Sequence, residues 1–273
     1  MTILACFIVP HGSMVLDPSI GADVSTLHAA MEQFGEKVQK LQPDIVFLTT
    51  PHSIALDYEF GIYRNSKARG TAGWEGQYDE FSAEIDLDTE FSDQLINQLT
   101  KQEAAVKGIT CFSPSVGEAP LRWGEVVPLW FLREVQTKYI VMSQPLRRYQ
   151  PLDMTKELLM MGQSLYDFLQ TSAKRVVVVV SGDLAHTHQD GLHYRYSSSA
   201  EPFDQAIEDW VRSQNIEDLV VTAGSFLEEA LCCGYASFVM LHGLLERGNF
   251  RNEFVVRSHP TYFGMLVASF QVN

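Results

Sequence analysis

Two histidines stand directly behind prolines, each where an apolar run stops. His11 follows Pro10 at the end of "ILACFIVP", and His52 follows Pro51 at the end of "DIVFLTTP". Proline fixes its own φ and restricts the residue before it, so each stiff exit aims the imidazole that follows. Imidazole suits iron and zinc, and a fixed pair is the usual core of a catalytic metal site. Either histidine alone also reads as an ordinary hydrogen-bonded loop residue. The matching positions give the pair its weight.

A third run, "RVVVVVSGDLAH", ends in Ser181, Gly182 and Asp183, with His186 three residues further on. Ser181 or Asp183 can cap a following helix, with His186 in its first turn. Alternatively, Asp183 and His186 form a catalytic pair in which the imidazole moves protons near neutral pH. His188 and His193, close by, read as loop or surface residues. The stretch "FLEEALCCGYASFVMLHG" places Glu228, Glu229, Cys232 and Cys233 at an expected helix start. First-turn glutamates complement a helix dipole, and adjacent cysteines are often small buried apolar residues. A carboxylate or thiolate here could also complete a two-histidine metal site. Two histidines and one carboxylate with open positions form the non-haem Fe(II) oxygenase arrangement.

These groups need elements that bring them together. Five apolar, β-rich runs read as strands: the three above, "KYIVMSQPL" and "FGMLVASFQV". Val176 to Val180 is apolar at every position, as in a strand buried on both faces of an α/β sheet. Helical spacing covers residues 23–41, a stretch from Met154, and a stretch from about Phe226 to Leu245. A further helix fits "EPFDQAIEDWVRSQ", with Pro202 in its first turn. The alternation predicts one α/β domain over residues 1–273, a sandwich with a central, largely parallel or mixed sheet flanked by helices. Ligands of such sheets bind beyond the carboxyl ends of the strands, where His11, His52, Asp183 and His186 all fall. Residues 58–84, rich in glycine and aromatics, read as a loop over that site, with Trp74 and Tyr78 as a lid.

The 273 residues include 46% hydrophobic ones, enough for a large core. A net charge of −14 repels phosphate backbones, which argues against a nucleic-acid partner. No apolar run approaches the roughly 18 to 20 residues that span a bilayer. The N-terminus lacks the basic region of a signal peptide, so the expected compartment is the cytoplasm. Four cysteines without framework or zinc-knuckle spacing read as free thiols.

The motifs together resemble the class III extradiol dioxygenase superfamily, whose LigB-like fold is named after the catalytic subunit of protocatechuate 4,5-dioxygenase. The resemblance is nearest to its Memo-like branch. It rests on the order and spacing of "VPHGSMVLDP", "PDIVFLTTPHS", "GEVVPLWFL", "VVVVVSGDLAH", "EPFDQAI", "CGYASFVMLHG" and "FGMLVASF". It implies His11 and His52 as metal ligands and His186 as the acid/base. The third ligand is usually a glutamate in the dioxygenases and a cysteine in Memo-like proteins; Cys233 is the nearest match, Glu229 the second. The implied partners are a catechol-type aromatic and O2, with Fe(II) as the metal, zinc or copper as alternatives, and a homodimer as the assembly. Related chains often carry Asp-His-Gly before the "VPL" segment, read here as a strand. This chain has Arg122 and Trp123 in that place, so a site histidine is missing. Two other readings stay open: a metal-binding or protein-interaction module without dioxygenase activity, and a metal-dependent hydrolase, whose usual bridging carboxylates are not evident.

Overall fold

The computed structural model describes residues 2–73, 81–113, 117–191 and 193–272. The expected lid residues Trp74 and Tyr78 lie outside these. In chain order, the first half runs β1 (Ile3–Val9), α1 (Ala22–Leu41), β2 (Ile45–Thr50), β3 (Phe60–Tyr63), β4 (Lys67–Ala72), β5 (Phe81–Asp86), α2 (Thr89–Lys101), β6 (Val106–Ile109), β7 (Ala119–Leu121) and α3 (Trp123–Phe131). The second half runs β8 (Lys138–Ser143), α4 (Thr155–Thr171), β9 (Val176–Ser181), α5 (Ala200–Ser213), α6 (Gly224–Ala230), α7 (Tyr235–Leu245), β10 (Phe250–Ser258) and β11 (Met265–Val272).

Eight strands form a mixed sheet in the order β10-β11-β1-β9-β2-β8-β3-β6. The central four, β1, β9, β2 and β8, are mutually parallel, and the antiparallel pairings lie outside them. The valine run of β9 explains itself here. Val176, Val178 and Val180 face a core shared with α2, α4, α5 and α7. Val177 and Val179 face the opposite core, shared with α1, α3 and a second sheet of β5, β4 and β7. A strand with helices on both faces has no polar side to present. No helix of the described residues is long and apolar enough to cross a membrane.

Three expectations change. The stretch 58–84 is not a plain loop: it carries β3, β4 and the start of β5. The "VPL" segment is not a strand but part of α3, with Pro128 inside the helix. Its apolar residues follow from burial rather than from strand geometry, since Val126, Val127 and Leu129 all pack into the second core. The single helix expected over 226–245 is broken, because Leu231 takes a left-handed conformation with φ of 55° and ends α6. Cys232 and Cys233 therefore lie in a turn before α7, and Glu228 and Glu229 close a helix rather than open one.

Candidate metal centre

The parallel order β1-β9-β2 places three adjacent strand exits side by side. They deliver His11, Asp183 and His52. The turn between α6 and α7 supplies Cys233 from above. Its approach depends on two glycines: a Cβ on Gly182 would stand 2.6 Å from the Gly234 Cα. The Gly234 N–H donates to the Asp183 carbonyl at 3.2 Å, and the Cys232 and Cys233 thiols lie 3.2 and 3.7 Å from that same oxygen.

His11, His52 and Cys233 offer ligand atoms within 4.8 Å of one another, and Asp183, His186 and Cys233 form a second such set. The His11 and His52 rings meet edge to face, 4.8 Å between centroids. His11 Nε2 lies 3.4 Å from Cys233 Sγ and 3.4 Å from Asp183 Oδ2. Asp183 Oδ1 is occupied by the backbone N–H groups of His11 and Gly12, at 2.9 and 3.3 Å.

The tautomer of His11 follows from its other nitrogen. Pro128 has no N–H to give the Gly124 carbonyl one helical turn earlier, so that oxygen is open. The Ser181 hydroxyl donates to it at 2.8 Å. Having spent its hydrogen there, Ser181 Oγ accepts from His11 Nδ1–H at 3.0 Å. His11 Nε2 is left with a lone pair, aimed at a thiol and a carboxylate oxygen. Burial pushes the His11 imidazolium down to about 3 and that of His52 to about 2. A neutral ring facing Asp183 is not an ion pair, despite the 3.4 Å separation. Burial raises the Asp183 carboxyl to about 6 and pushes the Cys233 thiol well up. Lone pairs and acidic groups converge here, and a cation satisfies them all. The donor set therefore fits a metal ion; the nitrogen and thiol members suit zinc or copper, and the adjacent carboxylate adds a hard ligand for iron.

His186 stands beside this cluster. Its ring packs against Tyr194 and Phe263, at 5.2 and 6.1 Å between centroids. Among the described residues, no side chain or backbone group hydrogen-bonds either ring nitrogen. Burial lowers its basicity. Among the described residues no helix follows β9 until α5, and neither Ser181 nor Asp183 caps one. Glu229 is not brought to the cluster: its carboxylate accepts from Ser197 and Ser199 hydroxyls at 2.8 and 2.7 Å. His188 belongs elsewhere too, with Nε2 on the buried Asp204 at 2.7 Å and its ring stacked on His259. Glu201, near that pair, is already gripped by both arms of Arg257.

Trp123, in place of the missing histidine, opens α3 and lies 5.0 Å from the His52 ring. Behind it, the buried Glu125 ties the site's two walls together. Its Oε2 accepts from Arg122 N–H at 2.7 Å and its Oε1 from the Tyr63 hydroxyl at 3.0 Å. Tyr63 in turn accepts from Ile54 N–H, just past His52, at 3.1 Å. Burial raises the Glu125 carboxyl to about 8. The folded state thus binds this proton more tightly than the unfolded chain. The resulting stability is complete below about pH 4.5 and is lost as pH rises through about 8. Glu125→Gln should flatten that dependence, removing a slope of up to about 1.4 kcal/mol per pH unit. Urea midpoints between pH 5 and 8 check it; equal slopes in the two proteins would refute it.

Two cavities flank the cluster. One, of about 710 Å³, runs between His11, His186, Trp123, Tyr194 and Phe263. The other, of about 590 Å³, lies on the side of His52 and Cys233. His186 and Tyr194 border both. Both volumes are in the range of small-molecule sites. Tyr194 and Tyr262 escaped the sequence reading because they lie in loops without periodicity, Arg148 because it sits in a single 3-10 turn, and Phe263 because it reads as the start of a strand that begins only at Met265. For the three aromatics, the signal was their proximity in sequence to the histidine base or to the last strand.

The family model for the catalytic LigB subunit of aromatic ring-opening dioxygenase matches residues 5–268. The chain belongs to the LigB family. Protein CA_C1420 of Clostridium acetobutylicum is 21% identical over 278 residues, covering 97% of this chain and 56% of its own length. The chain thus spans about half the length of the curated relative it matches. A crystal structure of the uncharacterized protein JW3007 from Escherichia coli K12 superposes with a TM-score of 0.61 at 13% identity, over 99% of this chain and 100% of the other. That likeness shows a shared LigB-type fold. LigB proteins are typically metal-dependent, and the donor cluster of this chain lies where its three central parallel strands end.

Proposed function

We propose that this chain is a metal-dependent, extradiol ring-cleaving dioxygenase acting on a catechol-type aromatic with O2. His11, His52 and Cys233 hold the ion, Fe(II) in the working form, with Asp183 beside them. The observation that carries the reading is the His11 Nε2 lone pair, fixed by Ser181, facing a thiol and a carboxylate next to an aromatic-lined cavity. When bound, the ion supplies a Lewis-acidic centre at which catecholate and dioxygen meet in one geometry.

The chain's own residues do the rest. Trp123, Tyr194 and Phe263 give a planar ring apolar faces to lie against and exclude water from it. Burial keeps His186 neutral at pH 7, so a ring nitrogen can accept the proton of a substrate hydroxyl and return it later. Asp183 orients the His11 backbone through Oδ1. His186→Ala should keep its metal and lose turnover by roughly 10²- to 10⁴-fold. Catechol-panel kinetics beside metal analysis check this, and full turnover in that variant would end the acid/base assignment.

Two observations favour a second reading, a metal-binding or protein-interaction module without dioxygenase activity. Trp123 covers the His52 ring where related chains place a histidine, and the thiol donor favours zinc or copper. The catechol panel, run on protein loaded with Fe(II) under ascorbate, separates the two. Pairing into a homodimer belongs to the same proposal and is read by light scattering.

A further inference from the structure

Arg148 is the one arginine that is mostly buried yet has no carboxylate partner among the described residues; the only acidic side chains acting on it are the Cys233 thiol and the Tyr149 hydroxyl. Arg148 is 8% exposed. One arm donates to the Pro145 carbonyl at 3.0 Å and the other to the Tyr149 hydroxyl at 3.1 Å. Its neighbour Arg147, by contrast, is paired with Glu157. The guanidinium lies over the Tyr149 ring, 4.5 Å from its centroid, which holds the planar fork in place. A guanidinium carries five N–H donors, so Arg148 has donors left over. Burying a cation without a counter-ion is unfavourable unless an anion completes it.

Arg148 lines the cavity on the Cys233 side, beside His52. The mouth of that cavity is apolar, with Tyr149, Leu152 and Leu231 all substantially exposed. Asp153 and Glu228 also line it, and neither pairs with Arg148. The lining thus presents a buried cationic fork beyond an exposed apolar entrance. We propose that this second cavity is a carboxylate subsite, in which Arg148 takes the carboxylate of a ligand whose apolar body rests on Tyr149, Leu152 and Leu231. The fork geometry matches a carboxylate in bidentate fashion. The assignment rests on reading the cavities around the metal centre as the place where the small molecule binds. It implies that the aromatic substrate, or an effector bound beside it, is an acid.

The test uses metal-free protein and isothermal titration with 3-phenylpropionate and its neutral isostere 3-phenylpropionamide. Wild-type protein is expected to bind the acid at least about tenfold more tightly than the amide, as one charge-assisted fork contact implies. Arg148→Gln should erase that preference and Arg148→Lys should keep part of it, with near-UV circular dichroism verifying the fold of each. Leu152→Ala should weaken acid and amide alike. Equal binding of the two probes by wild-type protein overturns the subsite. So does a preference that survives Arg148→Gln, or one lost in Arg122→Gln instead, which would move the anion to the other cavity. Because no metal is present, failure here leaves the metal-centre reading standing; failure of that reading shows separately, as metal retained by His11→Ala.

Discussion

Replacing His11 with alanine strips the protein of its metal. Wild-type chain purified anaerobically and passed through gel filtration should retain iron, zinc or copper in near-stoichiometric amount; His11→Ala and Cys233→Ala should retain only background. The expectation follows from geometry. His11 Nε2 is the ring atom that faces both Cys233 and Asp183, and alanine leaves those groups with nothing to complete a site. Ser181→Ala should fall between. The imidazole would remain, but its tautomer and orientation would no longer be enforced, and loss of such a supporting contact lowers metal affinity by roughly 10- to 100-fold. Elemental analysis and chelator competition give both numbers. Metal kept by His11→Ala would show that the two proline-histidine exits are structural.

Gly124→Ala should be a damaging small substitution at the site. A Cβ there would stand 2.5 Å from Thr50 Oγ1 and 2.9 Å from His52 Cβ. Both belong to the stiff exit of β2, so α3 and the His52 loop must part. In an exposed helix the same exchange stabilises by up to about 1 kcal/mol, so the sign itself is informative. Overpacking of this kind costs about 1–3 kcal/mol, and the displaced His52 should weaken metal binding as well. Urea midpoints and metal titrations of the variant read the two effects. A variant as stable and as tightly metal-binding as the wild type would mean that α3 does not position His52.

Much of this architecture is written in short local patterns. The valine run of β9 reads as a doubly covered strand because burial on both faces leaves no room for polar alternation. The proline-histidine exits read as aimed imidazoles because proline acts on its own backbone. Where long-range packing decides, local pattern misleads. The "VPL" segment has strand-like composition, yet it is a helix whose apolar residues are buried by its neighbours. The helix expected over 226–245 breaks at Leu231, whose left-handed backbone no leucine advertises. Glu229 and Cys233 are four residues apart, and residue type alone leaves both open as ligands; only the resemblance ranks Cys233 first. Only the close approach of Gly182 and Gly234 brings Cys233 to the histidines and leaves Glu229 with two serines. Arg148 sits in "PLRRYQ", where a pair of arginines looks like solvated surface; nothing local says that one is paired and the other buried.

The position of β9 between β1 and β2 also sets an order of events. A chain emerging from its N-terminus makes β1 and β2 early, but neither pairs with the other. The strand that joins them is residues 176–181, and the cysteine that meets His11 lies 222 positions after it. The parallel core has to wait for most of the chain, and closing such distant segments is slow. A full ligand set for a metal is therefore complete only once the late segments are in place. A metal bound by that complete set adds stability to the finished fold by mass action.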